Sequence, residues 1–484
     1  MTTIKLDPGA ALLLDALHGA GHAAYAVGGC VRDSLLGLDP HDWDLCTSAR
    51  PEQVMALFGE EKCIPTGLQH GTVTVKQGGR LYETTTFRTE GAYSDGRHPD
   101  AVCFVPDVRE DLARRDFTIN AMAYSAEEGL IDPFGGQDDL AAHLVRAVGE
   151  PERRFEEDAL RILRLYRFAA RFGFAIDPAT GAAARALGPH LDCVSAERIQ
   201  EELLKLLAAP RPGSYLEPAV LAVVLPELEP EKQPERFAEL CRTIDRIEPT
   251  AENVPTRLAA LLCPLGEAGA RKALRKLKCS NALTDEVTAL EREAGGGAGS
   301  FLLGHEFELR HPADALCLER HSHPAGRCPN SNSLFPPQAA VVAVAGHSIA
   351  RPIACGNRVP PQRTVLGETP GTPNTTLTVQ AKRLLGRYEL PTIKRLTALC
   401  SARHPEQAGA FAALRAEAER LTAENACCRV SQLAVNGRDL MAAGVRPGPG
   451  LRQVLNALLE AVITGQTPNE KDALLAAAAQ FSAS

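Results

Sequence analysis

Gly28-Gly29-Cys30-Val31-Arg32-Asp33, separated by eight residues from Asp42-Trp43-Asp44, is the stretch from which the rest of the chain is read. The apolar run Ala23 to Val27 ends in two glycines, so a strand stops where the backbone can take unusual dihedrals and let a ligand approach closely. Arg32 follows as the charge partner of a phosphate. Side chains alternate along an extended chain, so Asp42 and Asp44 point the same way if Trp43 to Thr47 is extended. Two carboxylates on one face repel unless a cation lies between them. Mg²⁺ suits such a pair, because it takes hard oxygen ligands and keeps positions for water and substrate phosphates, and two ions can clamp the attacking and leaving oxygens of a phosphoryl displacement. Asp-x-Asp alone is a common polar turn. Joined to the glycine and arginine motif at this spacing, it marks Asp42 and Asp44 as a metal pair and Gly28, Gly29 and Arg32 as the phosphate side.

At 484 residues the chain is long for one domain and suggests two to four, and 45% hydrophobic content is enough to fill their cores. No apolar stretch reaches the length of a membrane span and the N-terminus lacks a secretory pattern, so a cytoplasmic protein without a membrane partner is expected. The fourteen cysteines include no C-x-x-C pair and read as reduced thiols. A net charge of −8 argues against a general nucleic-acid coat and leaves a local basic groove open.

Secondary-structure signals alternate through the first ninety or so residues. Asp7-Pro8 is an N-cap followed by a first helical position, and Leu12, Leu13, Leu14 and Leu17 supply an apolar face before Gly19 and Gly21. Pro51 to Phe58 predicts a second helix. His70 to Lys76 alternates, Gly78-Gly79 turns, and Leu81 to Phe87 alternates again, a hairpin signal. Glu83 lies in the second arm, either as a third carboxylate of the metal site or as an ordinary exposed strand residue.

With Glu83-Thr84-Thr85-Thr86-Phe87-Arg88, Arg114-Arg115-Asp116-Phe117-Thr118-Ile119-Asn120-Ala121 and Glu157-Asp158-Ala159-Leu160-Arg161 added in order, the chain resembles the bacterial class II tRNA nucleotidyltransferases, the CCA-adding enzymes, close kin of bacterial poly(A) polymerases. The resemblance is strong over Ala23 to Ala209 and weaker over Leu433 to Asn469, through Asn436-Gly437-Arg438-Asp439-Leu440 and Pro447-Gly448. It implies an α+β fold: a nucleotidyltransferase head with a small mixed sheet and helices over residues 1–150, then an all-α neck (151–215), body (216–294) and tail (381–484). It implies that Gly29 and Arg32 contact the triphosphate of CTP or ATP, that Asp42 and Asp44 hold Mg²⁺ with support from Glu83, and that Arg115, Asp116 and Asn120 hold ribose and phosphates. Asp158 and Arg161 would read the base edge, with Arg164 and Arg167 nearby. tRNA is the macromolecular partner it implies, and no stable protein partner is inferred.

The base-reading expectation has its own chemistry. Glu152 to Gly173 carries a helical apolar pattern, and Arg161, Arg164, Arg167 and Arg171 recur at spacings that share one face. Such stripes are usually solvated cationic faces. Here Asp158 precedes Arg161 by one turn, and a carboxylate acceptor beside a planar guanidinium donor matches the edges of cytosine and adenine. Thr89 to Pro99 reads as a mobile loop; in the family, enzymes that add only the two cytidines lack much of this stretch, so its presence favours addition of the terminal adenosine as well.

Beyond Pro178 helical patterns continue at Ser195 to Leu207, Glu235 to Ile247, Arg257 to Leu262 and Arg271 to Leu277. Residues 295–380 break them with ten prolines after Ser300, five histidines and no lysine, and read as a disordered insertion or a stretch translated from a wrong frame. Its His305, His311, His321, His323 and Cys328 lack metal-ligand spacing. Three functions are weighed: addition of C, C and A to tRNA 3′ ends; poly(A) polymerase or a partial CC- or A-adding enzyme; and a tRNA-binding protein that has lost catalysis. Gly67 to Val73 favours the first over poly(A) synthesis, and the intact carboxylates oppose the third.

Overall fold

The computed structural model describes residues 3–90, 102–295 and 375–481. The helices of the N-terminal part are α1 (Pro8–Gly19), α2 (Gly29–Leu35), α3 (Pro51–Phe58), α4 (Val108–Ala113) and α5 (Gly136–Ala141). Its strands are β1 (Ala24–Val27), β2 (Leu45–Thr47), β3 (Cys63–Gly67), β4 (Thr72–Gln77), β5 (Arg80–Thr86), β6 (Arg88–Glu90), β7 (Val102–Phe104), β8 (Ala123–Ser125) and β9 (Gly129–Ile131). Asp7 caps α1 as its sequence predicts, accepting from the Gly9 and Ala10 amides at 2.9 and 3.2 Å.

Seven strands form one sheet in the order β3-β4-β5-β2-β1-β8-β9. β2 and β5 run parallel and the other neighbours antiparallel, so the sheet is mixed. Alternation along β1 buries both faces: Ala24 and Ala26 join the large core with Leu13, Leu14 and Leu17, while Tyr25 and Val27 join a second cluster with Phe87, Leu112 and Ala123.

β10 (Leu144–Val145) and β11 (Ala175–Ile176) pair in parallel on either side of α6 (Pro151–Glu157) and α7 (Leu160–Phe172). The region expected to be all-α therefore contains one short strand that ties it back to residues before 150. Helices α8 (Pro178–Ala186), α9 (Ala196–Leu207), α10 (Pro218–Val224), α11 (Pro234–Arg246), α12 (Val254–Leu262), α13 (Gly266–Lys276) and α14 (Asn281–Gly295) follow. After the undescribed stretch come α15 (Thr375–Arg387), α16 (Leu390–Arg403), α17 (Ala408–Ala423), α18 (Gly437–Ala442), α19 (Pro449–Ile463) and α20 (Lys471–Phe481). The last three enclose their own apolar cluster around Leu440, Leu458 and Leu474. Among the described residues no helix is long and apolar enough to cross a membrane, and the described cysteines are free.

Most of the 295–380 segment lies outside the described residues, as do Gly91 to Pro99 of the expected loop. At its edges the expectations need correcting: Thr375 to Gln380 already belong to α15, and Thr89 and Glu90 pair with Cys103 and Val102 in the β6–β7 ribbon. Across the two sides of 296–374, the Tyr388 hydroxyl just past α15 donates to Glu293 of α14 at 2.7 Å and Arg403 of α16 donates to the Ala294 carbonyl at 2.9 Å. Loop length costs only about 0.6 kcal/mol per doubling. Replacing 296–374 by a short Gly/Ser linker should preserve the melting temperature within a few degrees, by calorimetry, and leave nucleotide addition unchanged; a collapse of either would show that the segment belongs to the packed body.

Glu291 in α14 is 2% exposed and neither carboxylate oxygen has a hydrogen-bond partner. Burial pushes its acid up to about 7 against the opposing pull of Arg403. A raised folded-state value means that stability is fully present below the unfolded carboxyl range and is lost as pH rises through about 7. Glu291→Gln should therefore flatten the fall in melting temperature between pH 5.5 and 8, recovering up to about 3 kcal/mol at the alkaline end. Parallel pH profiles for parent and variant would rule out Glu291 as the cause.

Candidate active site

β1 delivers the chain to Gly28, which has φ +76° and could not be replaced without a Cβ meeting Arg115 Nη1 at 2.8 Å. The Gly28 amide donates to the Met122 carbonyl at 3.0 Å, and the Val27 amide donates to the Asp44 carbonyl at 2.9 Å. These two bonds set the glycine turn beside Asp44. Trp43 is buried while Asp42 and Asp44 on either side of it are exposed. Strand β2, however, begins only at Leu45, so the pair precedes the strand rather than lying within it.

The register pairs Leu45 with Thr84 in parallel. Continued by one residue, it sets Asp44 level with Glu83, which is exposed on β5. Asp44 keeps contact with water on one side and is hemmed by protein on the others. That enclosure first, then the carboxylate of Glu83, pushes its acid up to about 6; Arg115 pulls it down and Asp42 adds to the rise. Among the described residues no three His, Cys, Asp or Glu side chains converge as a ready-made metal cage. Open carboxylates that substrate phosphates must complete are the donor set by which Mg²⁺ is usually held, so the residues fit a hard divalent cation.

Behind this edge runs a buried network. Arg32, 3% exposed, donates to Asp33 at 2.8 Å and to the Asn120 side-chain oxygen at 2.5 Å, with its guanidinium over the rings of Phe168 and Phe172. Asn120 donates to Asp116 at 3.0 Å, and Arg164 grips the other Asp116 oxygen at 2.9 and 2.6 Å. Burial works against the Asp116 charge, but Arg164 and Asn120 hold its carboxyl well below the usual range. Arg167 donates to Glu202 of α9 at 2.6 Å and lies 4.0 Å over Phe168, and Arg171 donates to Asp33 at 3.0 Å. The structure links Arg32, Asn120, Asp116 and Arg164 by hydrogen bonds and sets Arg167 on the same Phe168 ring. The sequence reading missed Glu202, Asp33 and the Phe168 ring, which faces Arg32, Arg164 and Arg167.

The expected Asp158–Arg161 pair is not formed. One continuous helix over Glu152 to Gly173 would have carried both, but the chain breaks between α6 and α7, where Asp158 is extended (φ −146°, ψ 103°). Its carboxylate accepts from the Leu160 amide at 3.1 Å and from both terminal nitrogens of Arg198 at 3.2 and 2.8 Å. Arg161, buried, donates instead to Glu157 at 2.8 Å and to the carbonyls of Arg154 and Arg114 at 3.1 and 2.9 Å. Both carboxylate oxygens of Asp158 are thus taken by groups other than Arg161. Asp-Ala-Leu before an apolar run is a capping signal that could have revealed the break; nothing local marks Arg198, forty residues away.

Comparison with known proteins decides the family. Residues 24–146 match the Poly A polymerase head domain, 173–231 the probable RNA and SrmB-binding site of polymerase A, and 386–478 a putative second domain of tRNA nucleotidyltransferases. The CCA-adding enzyme of Limosilactobacillus fermentum is 33% identical over 478 residues, covering 97% of this chain and 96% of that enzyme. The chain belongs to the CCA-adding enzyme family. The family's enzyme from Geobacillus stearothermophilus is 42% identical over 57% of this chain and 68% of its own length. The solved CCA-adding enzyme of Bacillus stearothermophilus in complex with CTP superposes with a TM-score of 0.68 at 29% identity, over 98% of both chains.

Proposed function

We propose that this chain adds C, C and A in turn to the 3′ end of tRNA without a nucleic-acid template. The full-length likeness to enzymes named CCA-adding carries this reading: the head and residues 173–231 match domains named for polymerase A, whereas residues 386–478 match a domain of tRNA nucleotidyltransferases. In each step the terminal hydroxyl of the tRNA attacks the α-phosphorus of CTP or ATP; the new P–O bond forms as the bond to pyrophosphate breaks and the hydroxyl gives up its proton. Asp42 and Asp44, supported by Glu83, would hold a divalent cation, Mg²⁺ by the chemistry of its donors, which when bound supplies charge neutralisation at the reacting phosphate.

Within this reading each of the chain's own residues takes a role. Gly28 and Gly29 would let the triphosphate approach the backbone, Arg115 would face its charge, and the buried Arg32 would reach it only by giving up Asp33 or Asn120. Asp116 and Asn120, fixed by Arg164, present polar atoms to the ribose. Asp158 and Arg161 would read the base only after exchanging Arg198 and Glu157 for it, with Arg164 and Arg167 lining the approach. Residues 1–150 form the head, 151–215 the neck, 216–294 the body and 381–484 the remainder that grips tRNA.

The test is to incubate the purified chain with tRNA transcripts ending before CCA or after CC, and with each labelled nucleotide in turn. Two cytidines and one adenosine, then arrest, is the expected product. A long adenosine tail would make it a poly(A) polymerase, and arrest at CC a partial enzyme.

A further inference from the structure

We infer that Asp111 is a positioning residue for the incoming nucleotide, its buried carboxylate aiming Arg115 at the glycine turn while anchoring the segment that Arg161 grips. The inference rests on the nucleotide-binding reading of Arg115.

Asp111 lies in α4 and has no solvent exposure. A buried carboxylate is expensive unless its lone pairs are filled, and here they are filled unequally. Oδ1 accepts from Arg114 Nε at 3.0 Å, from Arg114 Nη2 at 2.9 Å and from the Arg88 amide at 3.2 Å. Oδ2 receives Arg115 Nη2 at 3.5 Å. Arg115 is thus restrained in direction without being saturated. Its Nε is buried with no partner, and its Nη1 occupies the space where a side chain on residue 28 would stand. A cation so held is placed against the phosphate-side turn with hydrogen-bonding capacity left over. Without the Asp111 charge, Arg115 is free to turn toward Asp44, whose carboxylate it already attracts, and there it would compete with a cation.

The same carboxylate fixes the helix end from which Arg161 takes its anchor. Arg114 is clamped through its side chain to Asp111, and its carbonyl accepts from Arg161 Nη2 at 2.9 Å. One carbonyl earlier, Ala113 accepts from Arg154 Nη1 at 2.9 Å. Neither motif reading nor charge pattern singled Asp111 out, since it sits among the ordinary acidic residues of a helix's first turn.

The experiment uses the full chain with Asp111→Asn, Arg115→Ala and the double variant, measuring KM and kcat for CTP on transcripts lacking CCA and for ATP on transcripts ending in CC. Asp111→Asn should raise both KM values about tenfold, the loss expected of one charge-assisted contact, with a much smaller change in kcat. Arg115→Ala should raise them as well, and the double variant should raise them by less than the product of the two single effects. Unchanged KM in Arg115→Ala would overturn the role of Arg115 and the inference with it. A double-variant KM equal to the product of the two single effects would overturn the inference alone. If Asp111→Asn does not fold, Arg114→Met removes two of the three donors to Oδ1, draws Arg115 onto Asp111 and should raise KM severalfold with kcat kept; an unchanged KM there overturns the inference.

Discussion

Asp44→Asn should lose nucleotide addition by about a thousandfold or more, the scale expected when several kcal/mol of charge stabilisation leave a phosphoryl-transfer site. The substitution is isosteric and keeps the backbone through which Asp44 accepts from Val27. It removes a carboxylate that Glu83 and Asp42 repel, so folding should be unharmed, with the melting temperature in metal-free buffer equal to the parent's or higher. tRNA affinity should also survive, because it is expected to come mainly from phosphate and shape contacts elsewhere on the chain. Retained fold and gel-shift affinity with lost end addition is the expected triad. Turnover within about tenfold of the parent at saturating Mg²⁺ would remove Asp44 from the reaction.

The features legible in the sequence are those whose physics is local. The helix capped by Asp7, the Gly78-Gly79 hairpin, the Pro51 helix and the glycine turn each depend on a few adjacent residues, and the structure has them where the sequence predicts. Exposing Asp42 and Asp44 on either side of a buried Trp43 needed only alternation. The partnerships that organise the site depend on tertiary distance. Glu202 reaches Arg167 from another helix, Arg198 takes Asp158 across forty residues of chain, and Asp33 ends on Arg171. A charge stripe says that guanidinium groups share a face; it does not say which carboxylates meet them. The break at Asp158 was hidden for a related reason. The apolar pattern over 152–173 continues through it, so periodicity alone merges two helices, and only the capping geometry separates them.

That break shapes the second large expected effect. Asp158→Ala should narrow the preference for CTP and ATP over UTP and GTP and slow addition by about ten- to a hundredfold, the range for one lost hydrogen bond to a charged group. Asp158 also accepts from the Leu160 amide and so starts α7, and losing a cap costs about 1 kcal/mol by itself. A slower enzyme alone would therefore not separate base reading from a frayed helix. Asp158→Ser separates them, because a serine hydroxyl can still cap α7 but cannot offer the carboxylate that Arg198 now holds and a base amino group would take. Serine should restore the melting temperature toward the parent's while leaving nucleotide choice as relaxed as in the alanine variant, read by competition between labelled CTP and UTP on a transcript lacking CCA. Recovery of selectivity together with stability in Asp158→Ser would assign Asp158 to holding the helix and move base recognition to other residues.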